Sequence, residues 1–335
     1  MHFIFVNSIQ VNAKTILILT NRVPYPLNDG GNLAMHAMIE GYHKAGWEVH
    51  LLSMNTSRHY ITQERLKTIY MYLSSFEAVD VNNDVSILGT IKNFFFSRQP
   101  NHTERYFDTN FLKKIERTIE KYGPSVIQVE SIYLSTYLPF LYQVCDSKLV
   151  LRMHNIEYQV WERLAKGTRN PLKRFYLKDL AKRIKLFEVK AWCEYDLLLP
   201  ITQEDAEVLK NNGVETDFLV TPFGLDATKI GVNSSKEDWV GYHLGAMDWL
   251  PNVEAMKWFI NEIWTKVHNA VPDFKFYFAG RNMPKELLIN NPNGIVCEGE
   301  VANAVGFIAD KKILIVPLRS GGGIRIKILE AMAVC

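Results

Sequence analysis

Three consecutive segments near the start of the chain decide its fold class: TILILT (15–20), LAMHAMIEGYHKAG (33–46) and EVHLLSM (48–54). The first and third are nearly continuous apolar runs, which are typical of strands buried on both faces. In the second, apolar residues recur with the period of an amphipathic helix. The order strand, helix, strand indicates the βαβ unit of a parallel sheet covered by helices.

The same alternation continues along the rest of the chain. It predicts a helix over 63–73, strands at 125–130, 148–154 and 195–202, and a second series of strands at 240–245, 274–280, 294–299 and 312–318 with a helix over 252–270. Between the two series, apolar periodicity is lost and Gly, Pro, Asn and Ser accumulate, which predicts an interdomain linker over 221–238.

Length and pattern together predict two domains. The 335 residues exceed an ordinary single domain. We therefore expect an α/β protein with two doubly wound parallel-sheet domains, residues 1–222 and 223–335. Open parallel sheets bind ligands beyond the carboxyl ends of their strands, so we expect the strand-end loops of the two domains to face a cleft.

Composition excludes several classes of protein. Hydrophobic residues make up 47% and charged residues 22%, as in globular proteins, and the net charge of +2 is too small to direct the whole chain to nucleic acid. The four cysteines have no CxxC spacing, which disfavours structural zinc and fits a reducing compartment. Since the sequence shows neither a signal peptide nor about 18 consecutive apolar residues, we expect a soluble, cytoplasmic protein.

The first strand-end loop, at 20–38, carries a pair of glycines. Gly30 and Gly31 follow Asp29 at the predicted start of a helix, where bare backbone amides can approach a bound group. The alternative is a tight turn with a helix cap. The loop lacks the GxGxxG pattern and the later acidic residue of a nicotinamide dinucleotide site.

The loop after the strand at 148–154 begins with a histidine. His154 is expected to face the cleft, where its imidazole can hydrogen-bond a substrate hydroxyl or donate to a developing charge. Alternatively, His154 caps the helix that follows. The sequence HNIE does not match HExxH, so a zinc hydrolase has no support.

The second domain offers a set of cations and glycines at strand ends. Arg281 follows the strand at 274–280, and the last loop and helix contain Ser320, Gly321, Gly322, Gly323, Arg325, Lys327 and Glu330. Backbone amides at a helix start, together with cations, suit a diphosphate, and a carboxylate further along can accept from ribose hydroxyls. Solvated side chains at Arg281 and Glu330 are the alternatives.

Six segments carry a resemblance to a known family: PYPLNDGG (24–31), LRMHNIEYQVWERL (151–164), TPFGLD (221–226), LGAMDWLPNVEA (244–255), FAGRNMP (278–284) and VPLRSGGGIRIKILEAMA (316–333). The sequence resembles the retaining glycosyltransferases of GT-B architecture, of the family-four type that builds bacterial polysaccharides and lipid-linked sugars. The resemblance implies two Rossmann-like domains, a nucleotide-sugar donor on the C-terminal one, an acceptor on the N-terminal one, and no metal or other cofactor.

The resemblance also implies roles for individual residues. Gly30 and Gly31 match the N-terminal glycine loop, and His154 matches the histidine near the reacting sugar. Glu330 matches the second glutamate of the family's Glu, seven residues, Glu motif, but Gly322 stands at the first. The cations that usually follow the first C-terminal strand are missing, so we expect Arg325, Lys327 and Arg281 to compensate the phosphate charge.

Residues 163–190 form a basic stretch with interleaved apolar residues, which suggests an amphipathic helix. Such a helix can rest on anionic lipid or meet a lipid-diphosphate acceptor, at the inner face of the membrane. The solvated face of a core helix is the alternative, and nucleic acid is disfavoured.

The sequence therefore predicts a hexosyltransferase-type glycosyltransferase that uses a nucleoside diphosphate sugar. The alternatives are a nucleotide-sugar epimerase or hydrolase of the same architecture, and a non-catalytic fragment that binds nucleotide. Because the final helical pattern stops at 333–335 without a cap, we expect an incomplete second domain with weak activity or none.

Overall fold

A computed structural model of the chain describes residues 12–27, 30–84, 86–97, 99–224, 239–288, 293–319 and 325–333. The described residues up to Phe223 form one compact unit, and those from Gly224 onward form a second. This division falls within the predicted linker, of which residues 225–238 lie outside the described residues.

The N-terminal unit is built on a six-stranded parallel sheet with strand order β3-β2-β1-β4-β5-β6. Its strands are β1 (Asn12–Thr20), β2 (Glu48–Thr56), β3 (Ser75–Val81), β4 (Pro124–Val129), β5 (Lys148–Met153) and β6 (Leu197–Pro200). The order runs outward from the centre in both directions, which is the doubly wound pattern. Ile16, Leu17, Ile18 and Leu19 of β1 are all fully buried, because helices cover both faces of the sheet.

Nine labelled α-helices belong to the described part of this unit: α1 (Gly30–Lys44), α2 (Gln63–Leu66), α3 (Ile87–Phe96), α4 (Asn101–Arg105), α5 (Thr109–Tyr122), α6 (Leu138–Val144), α7 (Glu157–Gly167), α8 (Pro171–Trp192) and α9 (Gln203–Asn211). Short 3-10 segments lie at Ser57–His59 and Ile132–Tyr137. The core on one face of the sheet contains Phe111, Tyr137 and Trp192, each at most 1% exposed.

The C-terminal unit is built on a four-stranded parallel sheet with order β10-β7-β8-β9. Its elements are β7 (Val240–Leu244), α10 (Leu250–Trp258), α11 (Thr265–Ala270), β8 (Lys275–Ala279), β9 (Ile295–Gly299), α12 (Ala304–Ala309), β10 (Ile313–Leu314) and α13 (Ile326–Ala333). A π-helical segment, Phe259–Trp264, joins α10 to α11, and a 3-10 turn lies at Lys285–Leu287. The core packs around Trp264, Phe276 and Phe278.

The α/β class with two parallel sheets is confirmed, whereas several element boundaries were predicted wrongly. The helix expected over 63–73 is limited to α2, and Tyr70 beyond it has a φ of 57°, which a helix does not allow. Strand β3 was not predicted. Only two residues of 312–318 pair as β10.

The basic stretch at 163–190 forms two helices rather than one. Helix α7 ends at Gly167, and α8 starts anew with Asn170 as its N-cap and Pro171 in its first turn. The Asn170 side chain accepts a hydrogen bond from the backbone N–H of Lys173 at 3.0 Å. An Asn cap followed by proline is a strong helix start, which explains the break.

Candidate functional site

A cavity of about 210 Å³ lies at the carboxyl ends of β1, β4 and β5 in the N-terminal unit. Its lining includes Asn21, Gly31, Glu130, Tyr133, His154 and Trp192. Gly31 and His154, predicted for one site, therefore line the same cavity. Gly30 is the exposed first residue of α1, directly beside Gly31.

His154 is held by a buried carboxylate. Its Nε2 lies 2.7 Å from Oε2 of Glu130, which directly follows β4 and has no exposed side-chain surface. The guanidinium of Arg152 lies 3.6 Å from the same oxygen and donates to the backbone carbonyl of Ala34 at 2.7 Å. The amide of Gln128 donates to the other oxygen of Glu130.

These contacts set the direction of the hydrogen bond between Glu130 and His154. Burial raises the pKa of Glu130, but Arg152 and the hydrogen bonds from His154 and Gln128 outweigh it, so that the net pKa is lowered and the carboxylate is ionised. An ionised carboxylate only accepts, so Nε2 of His154 must carry the hydrogen. The Nδ1 atom is then the ring nitrogen left to interact with a substrate.

His154 does not cap the helix that follows it. The backbone N–H groups of Glu157 and Tyr158, at the start of α7, donate to the two carboxylate oxygens of Glu188 at 2.9 and 2.7 Å. Burial, and then Glu157, raise the pKa of Glu188 to about 8. The cap is thus supplied from α8, and the His154 imidazole is not needed for it.

The C-terminal unit has a tight crossing of backbones at the carboxyl ends of β7 and β8. Gly245 follows β7, and its N–H donates to the carbonyl of Ala279 at 3.0 Å. A Cβ atom on Gly280, which follows β8, would lie 1.8 Å from the carbonyl oxygen of Gly245. The loops after β7 and β8 approach each other so closely that only glycine fits at position 280.

Three nitrogen-bearing side chains converge over Gly245. A Cβ atom at this position would lie 2.8 Å from Nζ of Lys327, 2.8 Å from Nδ2 of Asn252 and 3.0 Å from Nε2 of His243. Lys327, on α13, thus brings its ammonium to the carboxyl end of β7. Asn252 supports it, because its amide donates to the Ala246 carbonyl at 2.8 Å while its Oδ1 accepts from Lys327 at 3.5 Å.

His243 adds a neutral acceptor to this group. Its Nδ1 lies 2.9 Å from the carbonyl of Ile315, which only accepts, so Nδ1 carries the hydrogen. The other ring nitrogen, Nε2, is buried and makes no hydrogen bond to any residue that the structure describes. Burial, and then the charge of Lys327, lower the pKa of His243 to about 3, which keeps the ring neutral.

Burial perturbs both predicted ionisable residues of α13. It lowers the pKa of Lys327 to about 8, with a further lowering by Arg325 and an opposing effect of Glu330. Burial also raises the pKa of Glu330, against the effect of Lys327. The large shift of Lys327, with a carboxylate of shifted pKa one turn away, is typical of a functional site.

The two arginines differ in how their charge is compensated. The Arg325 guanidinium lies over the ring of Trp249, 5.0 Å from its centroid, in the loop after β7. Arg281 forms an ion pair with Asp248 at 3.4 Å. Because this carboxylate offsets the charge of Arg281, Lys327 is better suited than Arg281 to bind an anion.

Four predicted residues cannot be placed. Ser320, Gly321, Gly322 and Gly323 lie outside the described residues. Within the described ranges there is no cluster of three or more His, Cys, Asp or Glu side chains arranged to hold a metal ion. No helix in the same ranges combines the length and apolar character that a membrane span requires.

The group around Lys327 lies within a stretch that matches a known family. The model of the family described as Glycosyl transferases group 1 matches residues 240–335. Residues 240–335 are therefore similar to a group 1 glycosyltransferase domain. No curated protein matches the sequence.

Solved structures extend the similarity of fold to the N-terminal unit. Sucrose-phosphate synthase from Thermosynechococcus elongatus has a TM-score of 0.63 at 13% identity, covering 96% of this chain and 79% of that chain. HepE of Anabaena in complex with UDP has a TM-score of 0.61 at 13% identity, covering 96% and 78%. Medicago truncatula UGT71G1 complexed with UDP-glucose has a TM-score of 0.55 at 13% identity, covering 95% and 78%. The predicted GT-B fold, with two Rossmann-like sheets, is confirmed.

Sequence reasoning missed the residues that support the predicted ones. In the C-terminal unit these are His243 and Asn252, and in the N-terminal cavity they are Glu130 and Glu188. An acidic residue directly after a buried strand was a usable signal for Glu130. The role of Asn252 depends on a contact with a residue 75 positions away, which no local pattern reveals.

Proposed function

We propose that the chain is a glycosyltransferase that moves a sugar from a nucleoside diphosphate sugar to a hydroxyl of a glycan or lipid-linked acceptor. The observation that carries the proposal is the placement of Lys327 and Arg325 at the carboxyl end of β7, inside the matched glycosyltransferase domain. UDP and UDP-glucose are bound by HepE and UGT71G1, which share the fold.

The donor diphosphate is assigned to the group around Lys327. A buried ammonium with a weak 3.5 Å partner in Asn252 has hydrogens left to donate to phosphate oxygens. Binding a dianion next to Lys327 raises its pKa again, so the energetic cost of burying the ammonium is relieved in the complex. Glu330, one turn along α13, is assigned to the ribose hydroxyls, as the resemblance implies.

The acceptor is assigned to the cavity around His154. With Nε2 held by Glu130, the Nδ1 atom can accept from a sugar or acceptor hydroxyl. Gly31 lines the same cavity and leaves room for a group close to the backbone. Transfer requires the two bound substrates to meet, with the departing diphosphate stabilised by Lys327 and Arg325.

Three finer points belong to the proposal. Retention of the anomeric configuration follows the family resemblance. Charge compensation by Lys327 and Arg325 favours a reaction without a metal or another cofactor, since the cations take the place of a divalent ion. A cytoplasmic location agrees with the use of nucleoside diphosphate sugars and stays a prediction.

The test is product analysis with labelled UDP- and GDP-sugars, with and without lipid-linked and glycan acceptors. We expect acceptor-dependent product that is lost in His154→Ala and in Lys327→Met. Lys266→Met, which changes an exposed lysine of the same unit, serves as the matched control. Sugar release or epimerised donor without acceptor would point instead to the hydrolase or epimerase, and nucleotide binding without any turnover to the non-catalytic alternative.

A further inference from the structure

The N-terminal unit exposes four large apolar side chains around the end of α3 and the start of α8. Phe95 and Phe96 are 70% and 85% exposed, and Leu172 and Phe175 are 81% and 65% exposed. Single exposed apolar residues are normal on protein surfaces, but a contiguous group marks an interaction site.

Ring contacts show that this group is contiguous. The centroid of Phe94 lies 5.0 Å from that of Phe95, 6.3 Å from that of Phe175 and 5.7 Å from that of Tyr176. Phe96 continues the row, 6.5 Å from Phe95. The apolar side chains of α3 and α8 therefore form one patch.

The patch is held rigidly by Arg183 of α8. Its guanidinium donates to the backbone carbonyls of Asn93, Phe94 and Ser97 at 2.8–3.2 Å, which satisfies the last carbonyls of α3. The same group lies over the Phe94 ring, 5.3 Å from its centroid. The exposed aromatic residues are thus presented on a fixed helix end.

The solvent face of α8 surrounds the patch with positive charge. Helix α8 carries seven Lys and Arg against Asp179 and Glu188. These two carboxylates offset little of it at the surface, since Asp179 pairs with Arg183 at 2.6 Å and Glu188 is buried. Along α8, Leu172 and Phe175 are exposed together with five of its six exposed cations: Lys173, Arg174, Lys178, Lys182 and Lys185.

We propose that this aromatic-basic surface, formed by Phe95, Phe96, Leu172, Phe175 and the five cations just named, docks on the surface of an anionic lipid bilayer. Aromatic side chains favour the headgroup region, and flanking cations favour anionic lipids. Symmetric self-association would place the basic face of α8 against a second basic face, which charge repulsion opposes.

The surface lies close in the chain to the cavity around His154. Helix α4 (Asn101–Arg105) starts shortly after Phe96 and leads to Tyr106, which lines the cavity. Docking would hold the cavity at the same membrane that carries a lipid-linked acceptor. This last point rests on the proposed function, whereas docking itself does not and is measured without any sugar donor.

Co-sedimentation with vesicles tests the proposal. We expect the chain to pellet with phosphatidylglycerol-containing vesicles at low salt, to be released by high salt, and not to pellet with pure phosphatidylcholine. Phe95→Ser/Phe96→Ser should lower the partition coefficient at least tenfold. Lys178→Gln/Lys182→Gln should lower it about fivefold for each charge removed.

Two double variants control for general loss of apolar or basic surface. Met71→Ser/Leu219→Ser changes side chains that are 78% and 60% exposed elsewhere on the unit, and Lys113→Gln/Arg117→Gln removes exposed cations of α5. Both should bind vesicles as the unchanged chain does. Thermal melts confirm that each variant is folded.

Three results would overturn the proposal. The first is absence of binding to anionic vesicles at low salt. The second is equal loss of binding in the control variants and in Phe95→Ser/Phe96→Ser. The third is a dimer in sedimentation velocity that Phe95→Ser/Phe96→Ser abolishes while vesicles bind neither form, which would assign the surface to a second copy of the chain.

Discussion

We expect Lys327→Met to stabilise the fold and to weaken nucleotide binding at the same time. Burial lowers the pKa of Lys327 from 10.5 to about 8 in the folded chain. One pKa unit corresponds to about 1.4 kcal/mol, so holding the ammonium in this site costs the folded state about 3 kcal/mol at pH 7. Methionine fills a similar volume without a charge and avoids that cost.

The pH dependence follows from the direction of the shift. Because the folded pKa is the lower one, the unfolded chain binds the extra proton between pH 8 and 10.5, and the cost of the ammonium disappears over that range. The excess stability of Lys327→Met should therefore be largest below pH 8 and vanish as the pH rises toward 10.5. Urea unfolding followed by tryptophan fluorescence measures it.

Nucleotide binding should change in the opposite direction. A charge-assisted hydrogen bond to phosphate contributes about 1.5–3 kcal/mol, so Lys327→Met should raise the Kd for UDP or GDP about 10- to 150-fold. In the unchanged chain, affinity should fall as the pH rises through about 8, because Lys327 then loses its proton. Calorimetric titration measures both effects. A variant that is less stable than the unchanged chain and binds nucleotide equally well would refute this account of the site.

Three further outcomes are expected. Glu130→Gln should lower the free energy of unfolding by about 3–5 kcal/mol, because it leaves the buried Arg152 guanidinium without its charged partner. Urea unfolding measures this loss, and Glu130→Gln/Arg152→Met should recover part of it. Gly280→Ala should lower the free energy of unfolding by about 1–3 kcal/mol, because the added Cβ clashes with a backbone carbonyl. Gly41→Ala, where a Cβ has open space, should not destabilise α1. In hydrogen exchange, pyrophosphate should protect the amides at 245–249, and protection confined to 154–158 would contradict the assignment of the donor.

The elements that the sequence predicted well are those buried on both faces. Strands such as β1 and β5 are buried on both faces and read as apolar runs, so their positions are correct to within a few residues. Strand β3 lies at the edge of its sheet, and its segment SFEAVDV alternates polar and apolar residues. Without a continuous apolar run it was missed, although alternation is itself a strand signal for a half-buried edge.

The prediction of the candidate site has a related physical basis. His154 and Lys327 were proposed as site residues because strand ends and a glycine-rich loop point to ligands regardless of tertiary detail. Their supporting residues act through contacts that only folding creates, such as Glu130 on His154 across neighbouring strands. The pairing of Arg281 with Asp248 was equally invisible, and it changes which cations are available to an anion.

The electrostatics of the two units supply an independent reason to assign the donor to the C-terminal one. Next to the cavity around His154, which Arg22 also lines, the buried cation Arg152 is offset by ionised Glu130, and burial raises the pKa of Glu188 to about 8, so Arg152 and Glu188 add no net positive charge for a dianion. Over Gly245, by contrast, the Lys327 ammonium lies beside an amide oxygen and a neutral imidazole, and the Glu330 carboxylate and the Arg325 guanidinium act on it with opposite sign. A diphosphate needs positive charge, and the buried ammonium of Lys327 supplies it at the carboxyl end of β7.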